Sequence, residues 1–246
     1  MEFQKGQRSW RSNRSYVKIF TKVKSSKMRI IKLFLFFFFA ANVLYAQQDI
    51  PFWDDIQAFK HQDSIQMPPQ HAILFVGSSS FTKWTDVQNY FPGYTIINRG
   101  FGGSSLPDVI RYENDVIFKY KPRQIVIYCG ENDLAASDTV TAKMVFDRFK
   151  KLFTDIRKRF SNIPLVYISI KPSPSRWQLR EKMIAANNQI ESFLAKKKNT
   201  VFLDVYHKML GPNGTPIKDI YVEDNLHMNA KGYSIWKKEM QPHLLR

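Results

Sequence analysis

Short apolar runs alternate with longer amphipathic stretches along most of the chain. The apolar runs are rich in β-branched residues, which is typical of buried strands. The predicted strands are Ala72–Val76, Tyr94–Ile97, Gln124–Tyr128, Leu165–Ile170 and Thr200–Val205. The predicted helices are Phe52–Phe59, Ala142–Phe160, Gln178–Lys196 and Asn229–Met240. Continuously apolar strands separated by helices favour a parallel sheet covered on both faces. We therefore expect an α/β fold, a three-layer α/β/α sandwich with a doubly wound sheet.

Residues 1–46 lie outside this alternation. Residues 28–46 have the pattern of a signal peptide, because Arg29 and Lys32 precede the apolar run Leu33–Ala41 and Ala46 offers a cleavage site. An uncleaved N-terminal anchor is the alternative, although the run is shorter than the ~20 apolar residues of a spanning helix. Met28 is also a plausible start, so residues 1–27 are interpreted as a basic extension without a fold. The sequence thus predicts export to the periplasm or the extracellular space, with residues 47–246 as the folded domain.

The net charge of +16 is distributed unevenly. Residues 1–46 contain ten Lys or Arg and one acid, so they carry nine of the sixteen charges. The remainder is mildly basic and has no nucleic-acid-binding motif, so we expect no nucleic-acid partner. The one cysteine, Cys129, lies in an apolar run and is interpreted as a small buried hydrophobe. With neither a zinc or calcium pattern nor a dinucleotide fingerprint, no metal or cofactor is expected.

Polar motifs follow the first three predicted strands, at the edge where doubly wound sheets bind ligands. They are Gly77-Ser78-Ser79-Ser80, Gly102-Gly103-Ser104 and Gly130-Glu131-Asn132-Asp133. A serine at a strand-to-helix turn can expose its hydroxyl, and an asparagine amide can donate to a developing oxyanion. Each motif alone is more simply explained as a helix N-cap or a tight loop. Their placement on one predicted edge is what favours chemistry.

Near the C-terminus, Asp224 precedes His227 by three positions, just before the last predicted helix. A carboxylate that holds an imidazole in one tautomer makes it an effective general base. The other histidines, His61, His71, His207 and His243, have no matching partner in the sequence and are interpreted as surface or structural residues.

Together these motifs resemble the four signature blocks of the SGNH (GDSL-type) hydrolases, over roughly residues 72–246. The resemblance implies a flavodoxin-like sandwich that acts as an esterase or acylhydrolase without a cofactor. It also implies that Ser79 is the nucleophile and that Asp224 and His227 complete the triad. The oxyanion donors would be Ser79, Gly103 and Asn132. The family usually has Asp where this chain has Ser78, and that departure bears on how the serine turn is held.

Five further residues are candidates for substrate binding. Arg176 and Trp177 follow the fourth strand in a proline-rich loop, which is interpreted either as a substrate wall or as an ordinary surface loop. Trp84 is a second candidate wall, with core packing as the alternative. Arg99 and Glu131 follow adjacent strands and are expected to pair near the oxyanion site.

The predicted function is that of a secreted serine esterase that hydrolyses small acyl esters, with acetyl esters of carbohydrates as a candidate substrate. One alternative is a lysophospholipase or other lipid acylhydrolase. Another is an exported binding protein that has kept the fold but lost catalysis. The expected partner is a small acyl-ester substrate. The oligomeric state is left open.

Overall fold

Five parallel strands form one sheet in the order β2-β1-β3-β4-β5. In chain order they are β1 Ile73–Gly77, β2 Ile96–Gly100, β3 Gln124–Tyr128, β4 Leu165–Ile168 and β5 Thr200–Leu203. The computed structural model describes residues 50–246, so the predictions for residues 1–27 and 28–46 lie outside the described residues. This strand order is that of flavodoxin-like folds. The predicted doubly wound sheet is confirmed.

Eight α-helices surround the sheet in the described range. They are α1 Trp53–Ile65, α2 Ser79–Thr82, α3 Val87–Tyr90, α4 Leu106–Arg111, α5 Glu131–Ala135, α6 Ala142–Arg159, α7 Arg180–Leu194 and α8 Ala230–Met240. Side-chain caps begin two of them: the Thr141 hydroxyl accepts from the N–H of Met144 at the start of α6, and the Asn229 side chain accepts from two N–H groups at the start of α8. No helix among residues 50–246 combines the length and apolar character needed to span a bilayer.

Alternate residues of each central strand enter different cores, because side chains of a strand point to opposite faces. Leu74 and Ile125 belong to the core that includes Phe149 of α6. Ile73 and Val126 belong to the other core, which includes Trp236 of α8. The sheet is therefore apolar on both faces, and its polar chemistry is confined to the strand ends.

Strand β2 extends three residues beyond the predicted end at Ile97. The side chains of Asn98 and Arg99, near its end, are polar, but each forms hydrogen bonds with other segments of the fold. The Asn98 amide donates to the Phe81 carbonyl at 2.7 Å. The Arg99 guanidinium donates to Asp63 at 2.5 Å and to the hydroxyl of Tyr120 at 2.6 Å.

Gly77 ends β1 at a point where no larger residue fits. It pairs with Gly100 of β2 on one side and with Tyr128 of β3 on the other. Its φ is +142°, and a Cβ there would lie 1.9 Å from the Tyr128 carbonyl oxygen. The glycine allows the chain to turn directly out of the centre of the sheet into the next segment, which carries Ser79.

Candidate active site

Ser79 is the first residue of α2 and follows the carboxyl end of β1, an interior strand of the sheet. The turn that presents it is held by the backbone of Ser78, whose N–H donates to the Tyr128 carbonyl at 3.0 Å and whose carbonyl accepts from Phe81 at 2.9 Å. The Ser78 side chain is buried and makes no hydrogen bond to the described residues. Backbone hydrogen bonds therefore hold this turn without the aspartate that is usual at position 78.

Ser79, His227 and Asp224 form a continuous hydrogen-bonded chain. His227 Nε2 lies 2.9 Å from Ser79 Oγ, and His227 Nδ1 lies 2.6 Å from Asp224 Oδ2. The tautomer with its proton on Nδ1 satisfies both contacts, because Nδ1 then donates to the carboxylate and Nε2 accepts from the hydroxyl. The His227 side chain is only 15% exposed, so little water competes for these bonds.

Asp224 is prepared to remain charged. Burial alone would raise the pKa of its carboxyl group. The hydrogen bonds from the His227 side chain and from the backbone N–H groups of His227 and Leu226 lower the pKa to about 2. An ionised carboxylate at this position orients the imidazole and stabilises its protonated form.

Three unpaired N–H donors belong to residues joined to the Ser79 turn. Among the described residues, the backbone N–H groups of Ser79 and Gly103 have no hydrogen-bond acceptor. The Ser104 hydroxyl, next to Gly103, donates to the Gly77 carbonyl at 3.1 Å. Asn132 uses one amide hydrogen to donate to the Ser104 carbonyl at 2.9 Å, which leaves the other free. Ser104, which sequence reasoning did not single out, thus links the three predicted oxyanion donors.

A buried polar cluster lies directly behind Asn132. Glu131 is 4% exposed and accepts from the Tyr128 hydroxyl at 2.6 Å, from Lys171 Nζ at 2.9 Å and from the Ser173 hydroxyl at 3.1 Å. Burial would raise the pKa of Glu131, but the charges of Lys171 and Arg176 hold it below its ordinary value. Burial lowers the pKa of Lys171, and the negative charge of Glu131 offsets part of that lowering. The only sequence signal for Lys171 is its position just after β4, at the functional edge.

The predicted pairing of Arg99 with Glu131 is wrong. Asp63, near the end of α1, takes the Arg99 guanidinium. Glu131 instead pairs with Lys171, and Arg176 Nη1 lies 3.6 Å from its Oε1.

The two tryptophans differ in how far the structure decides their role, and only Trp84 is excluded as a substrate wall. Trp84 is completely buried and stacks on Tyr233 with ring centroids 4.6 Å apart, so the core-packing alternative is correct for it. Trp177 is half-buried, packs against the core and lies under the Arg180 guanidinium. Arg176 points to the predicted site, where its Nη1 donates to Asn132 Oδ1 at 2.9 Å.

A second Asp–His pair was missed, and the expectation that His207 has no partner is wrong. His207 Nδ1 lies 2.7 Å from Asp204 Oδ2, with the same three-residue spacing as the first pair. This imidazole is 70% exposed, and its ring contacts no hydroxyl group in residues 50–246. Within this range, the pair that reaches a serine hydroxyl is therefore the one at Asp224 and His227. No cluster of three or more His, Cys, Asp or Glu side chains that could hold a metal ion occurs in the same range.

Solved structures with this fold include enzymes of ester hydrolysis. A GDSL-like lipase from Bacteroides thetaiotaomicron superposes with a TM-score of 0.65 at 20% identity, over 76% of this chain and 95% of that one. A mutant of an acetyl-xylooligosaccharide esterase from Geobacillus stearmophilus superposes with a TM-score of 0.54 at 14% identity, over 72% of this chain and 95% of that one. At these identities, the likeness is one of fold.

Sequence comparison identifies the family. An N-acylneuraminate cytidylyltransferase from Escherichia coli is 24% identical over 171 residues, which are 68% of this chain but only 39% of that protein. This chain thus spans about two fifths of that relative. The profile of the GDSL-like lipase/acylhydrolase family matches residues 70–235, a range that includes Ser79, Asp224 and His227. The chain belongs to the GDSL-like lipase/acylhydrolase family.

Proposed function

We propose that this protein is an exported serine esterase that hydrolyses small acyl esters, with acetyl groups on carbohydrates as the preferred class. The observation that carries the proposal is the hydrogen-bonded chain from Ser79 through His227 to Asp224. A hydroxyl alone is a weak nucleophile at neutral pH and needs an adjacent base of this kind.

In the first half of the reaction, Ser79 Oγ attacks the ester carbonyl carbon while His227 Nε2 accepts the hydroxyl proton. The carbonyl π pair moves to oxygen and forms a tetrahedral oxyanion. The free N–H groups of Ser79, Gly103 and Asn132 stabilise this charge. The C–O bond to the leaving alcohol then breaks, and the proton on Nε2 passes to that alcohol.

In the second half, water attacks the acyl-enzyme. His227 Nε2 accepts a proton from the water, and the same donors stabilise the second oxyanion. The bond to Ser79 Oγ breaks, Oγ takes the proton back, and the carboxylic acid leaves. Asp224 remains ionised throughout and stabilises the imidazolium that forms twice per turnover.

Two observations support a small acyl group. The Phe52 ring lies 3.7 Å from where a Cβ on Gly103 would be, and it packs edge-on against Phe101 at 5.3 Å. The Phe52 ring thus lies beside one of the proposed oxyanion donors, which favours a short acyl group there. The acetyl-xylooligosaccharide esterase with the same fold shows that this architecture supports removal of a two-carbon acyl group from a carbohydrate.

The proposal is tested with nitrophenyl esters of acetate, butyrate and octanoate, together with a fluorophosphonate probe and mass spectrometry of the labelled peptide. We expect labelling of Ser79 and the highest kcat/KM for acetate. A preference for octanoate would support a lipid acylhydrolase instead. Absence of both labelling and turnover would support a binding protein.

Export is proposed from residues 28–46 alone. Expression of the full chain in a bacterial host, followed by N-terminal sequencing of the periplasmic or extracellular protein, tests it. We expect cleavage after Ala46. A protein that stays in the cytosol with residues 28–46 intact would contradict export.

A further inference from the structure

The side-chain amide of Asn132 is held at both of its ends. Oδ1 accepts a hydrogen bond from Arg176 Nη1 at 2.9 Å, and Nδ2 donates to the Ser104 carbonyl at 2.9 Å. A guanidinium has no acceptor and a carbonyl has no donor, so each contact fits only one orientation of the amide. Rotation by 180° would place an NH₂ group against a cation and an oxygen against a carbonyl oxygen. Both new contacts would be repulsive.

Arg176 helps to keep Glu131 ionised, but it is not the cation closest to that carboxylate. That carboxylate is already paired with Lys171 at 2.9 Å, and it accepts from two hydroxyl groups as well. Arg176 Nη1 lies 3.6 Å from the carboxylate, which is beyond hydrogen-bond distance, but 2.9 Å from Asn132 Oδ1. The guanidinium therefore makes its close contact with the amide rather than with the acid.

Arg176 is also restrained in the segment that carries it. The side chain is 20% exposed, and its backbone N–H donates to the Ser173 carbonyl at 3.2 Å. The N–H of Ser175 donates to the carbonyl of Asn225, in the loop between Asp224 and His227, at 3.1 Å. The segment with Arg176 is thus joined to the loop with the general base.

We propose that Arg176 is a positioning residue that fixes the Asn132 amide with Nδ2 directed at the oxyanion, an inference that rests on the proposed esterase function. Without Arg176, only the Ser104 carbonyl resists rotation of the amide, so the rotated form, which presents Oδ1 and repels an oxyanion, becomes more populated. The cation on Oδ1 also draws electron density from the amide, so its remaining N–H is a stronger donor. Both effects operate where charge develops, so they act on the transition state more than on substrate binding.

This role differs from a direct contact between Arg176 and an anionic or hydroxylated part of the substrate. A substrate contact would change KM for esters that carry such a group and would not depend on Asn132. A positioning role changes kcat even for a neutral ester and disappears when Asn132 is absent. The two roles are separable by experiment.

The experiment is a double-mutant cycle with Asn132→Ala, Arg176→Ala and the double variant, measured on neutral nitrophenyl acetate. Asn132→Ala should lower kcat by about 10²–10³-fold, the usual effect of losing an oxyanion donor. Arg176→Ala should lower kcat by roughly 10-fold or more with KM nearly unchanged, because it leaves the donor present but poorly oriented. In the Asn132→Ala background, Arg176→Ala should change kcat by less than about twofold.

Two further variants separate positioning from folding. Arg176→Lys retains a cation and a donor and should restore part of the rate. Arg180→Ala removes a neighbouring arginine whose guanidinium contacts Trp177 and Glu181, and it should leave kcat unchanged. Circular dichroism and thermal unfolding confirm that each variant is folded. If Arg176→Ala does not fold, the cycle is run with Arg176→Lys in its place.

Multiplicative losses in the cycle would overturn the proposal, and so would a rise in KM with kcat unchanged. Either result with an active wild-type protein leaves the esterase function intact. A wild-type protein that neither hydrolyses the ester nor reacts with the fluorophosphonate overturns both the function and the role of Arg176.

Discussion

Ser79 and His227 are 148 positions apart in the chain, yet Ser79 Oγ and His227 Nε2 share a 2.9 Å contact. Ser79 follows the interior strand β1, and His227 lies just before the last α-helix of the described residues, α8. The sheet topology brings both to its carboxyl edge. The predictions below test what this contact does.

Replacing Ser79 by alanine should abolish turnover and fluorophosphonate labelling, with a loss of about 10⁴-fold or more in kcat, because no nucleophile remains. Circular dichroism should be unchanged, since Oγ contributes only the bond to His227 among the described residues. Ser80→Ala is the matched control, because the Ser80 side chain makes no hydrogen bond within residues 50–246. The hydrogen bond that Ser80 accepts from the Tyr233 hydroxyl is made by its backbone carbonyl, which the substitution keeps. Hydrolysis retained in Ser79→Ala would reject the assignment of the nucleophile.

The two Asp–His pairs offer an internal comparison for the general base. His227→Ala should lower kcat by roughly 10⁴-fold or more, because the serine proton then has no acceptor. His207→Ala removes an imidazole with the same spacing to its aspartate but no contact to a serine, and kcat should stay within about twofold. Initial rates on nitrophenyl acetate measure both. Equal losses in the two variants would mean that His227 acts through folding rather than through Ser79.

Protonation of Asp224 should make the free energy of unfolding depend on pH in the acid range. Its pKa of about 2 in the folded protein lies below the ordinary 3.8, so the unfolded chain binds this proton more readily. The stabilisation from the ionised carboxylate is therefore fully present above about pH 4 and is lost as the pH falls through about 2. The side chain is 46% exposed, so solvent screening keeps the effect below about 1 kcal/mol.

Urea unfolding of the wild type and Asp224→Asn measures this linkage. The difference in unfolding free energy should shrink as the pH falls below about 4, because both proteins then lack the charge at position 224. A difference that varies between pH 6 and pH 8 would show that another group titrates at this site. In activity, Asp224→Asn should be less damaging than His227→Ala, because the aspartate orients and stabilises but does not receive the proton.

Gly103→Ala tests the backbone donor of the proposed oxyanion site. The φ of Gly103 is +86°, which an alanine adopts only with strain. A Cβ at this position would lie 3.7 Å from the Phe52 ring, an ordinary contact distance, so the cost of the substitution is conformational rather than steric. We expect a loss of about 1–2 kcal/mol in unfolding free energy, together with a fall in kcat as the N–H reorients. Gly102→Ala is the control: the position is open and lacks a positive φ. Equal effects at both positions would contradict a special role for the Gly103 N–H.

The sequence predicted most of the sheet because the strands are apolar on both faces. Strand β3 has the predicted bounds, and the other four are shifted or shortened by a few residues. The polar end of β2 was missed, since hydropathy cannot show that Asn98 and Arg99 find partners in distant segments. The short helices α3 and α4 were missed as well, because four to six residues are too few to show a helical period.

The candidate site was predictable in its residues but not in its internal contacts. Motifs at strand ends converge because parallel strands share a carboxyl edge, and this brought Ser79 and His227 together. The predicted pairing of Arg99 with Glu131 was wrong because the Arg99 guanidinium pairs instead with Asp63, which lies on α1, before the first strand. Neither the Lys171–Glu131 pair nor the contact of Arg176 with Asn132 has a local signal, since both join residues at least forty positions apart.

The packing of Tyr233 on Trp84 has a consequence for how activity is acquired. Tyr233 also donates through its hydroxyl to the Ser80 carbonyl at 2.9 Å, so α8 rests directly on the segment that carries the proposed nucleophile. During synthesis, Ser79 emerges long before His227, so a product truncated before His227 would display a hydroxyl without its proposed base. In the proposed mechanism, chemical competence therefore requires that the polypeptide be made through to His227 and that α8 be packed on the serine segment.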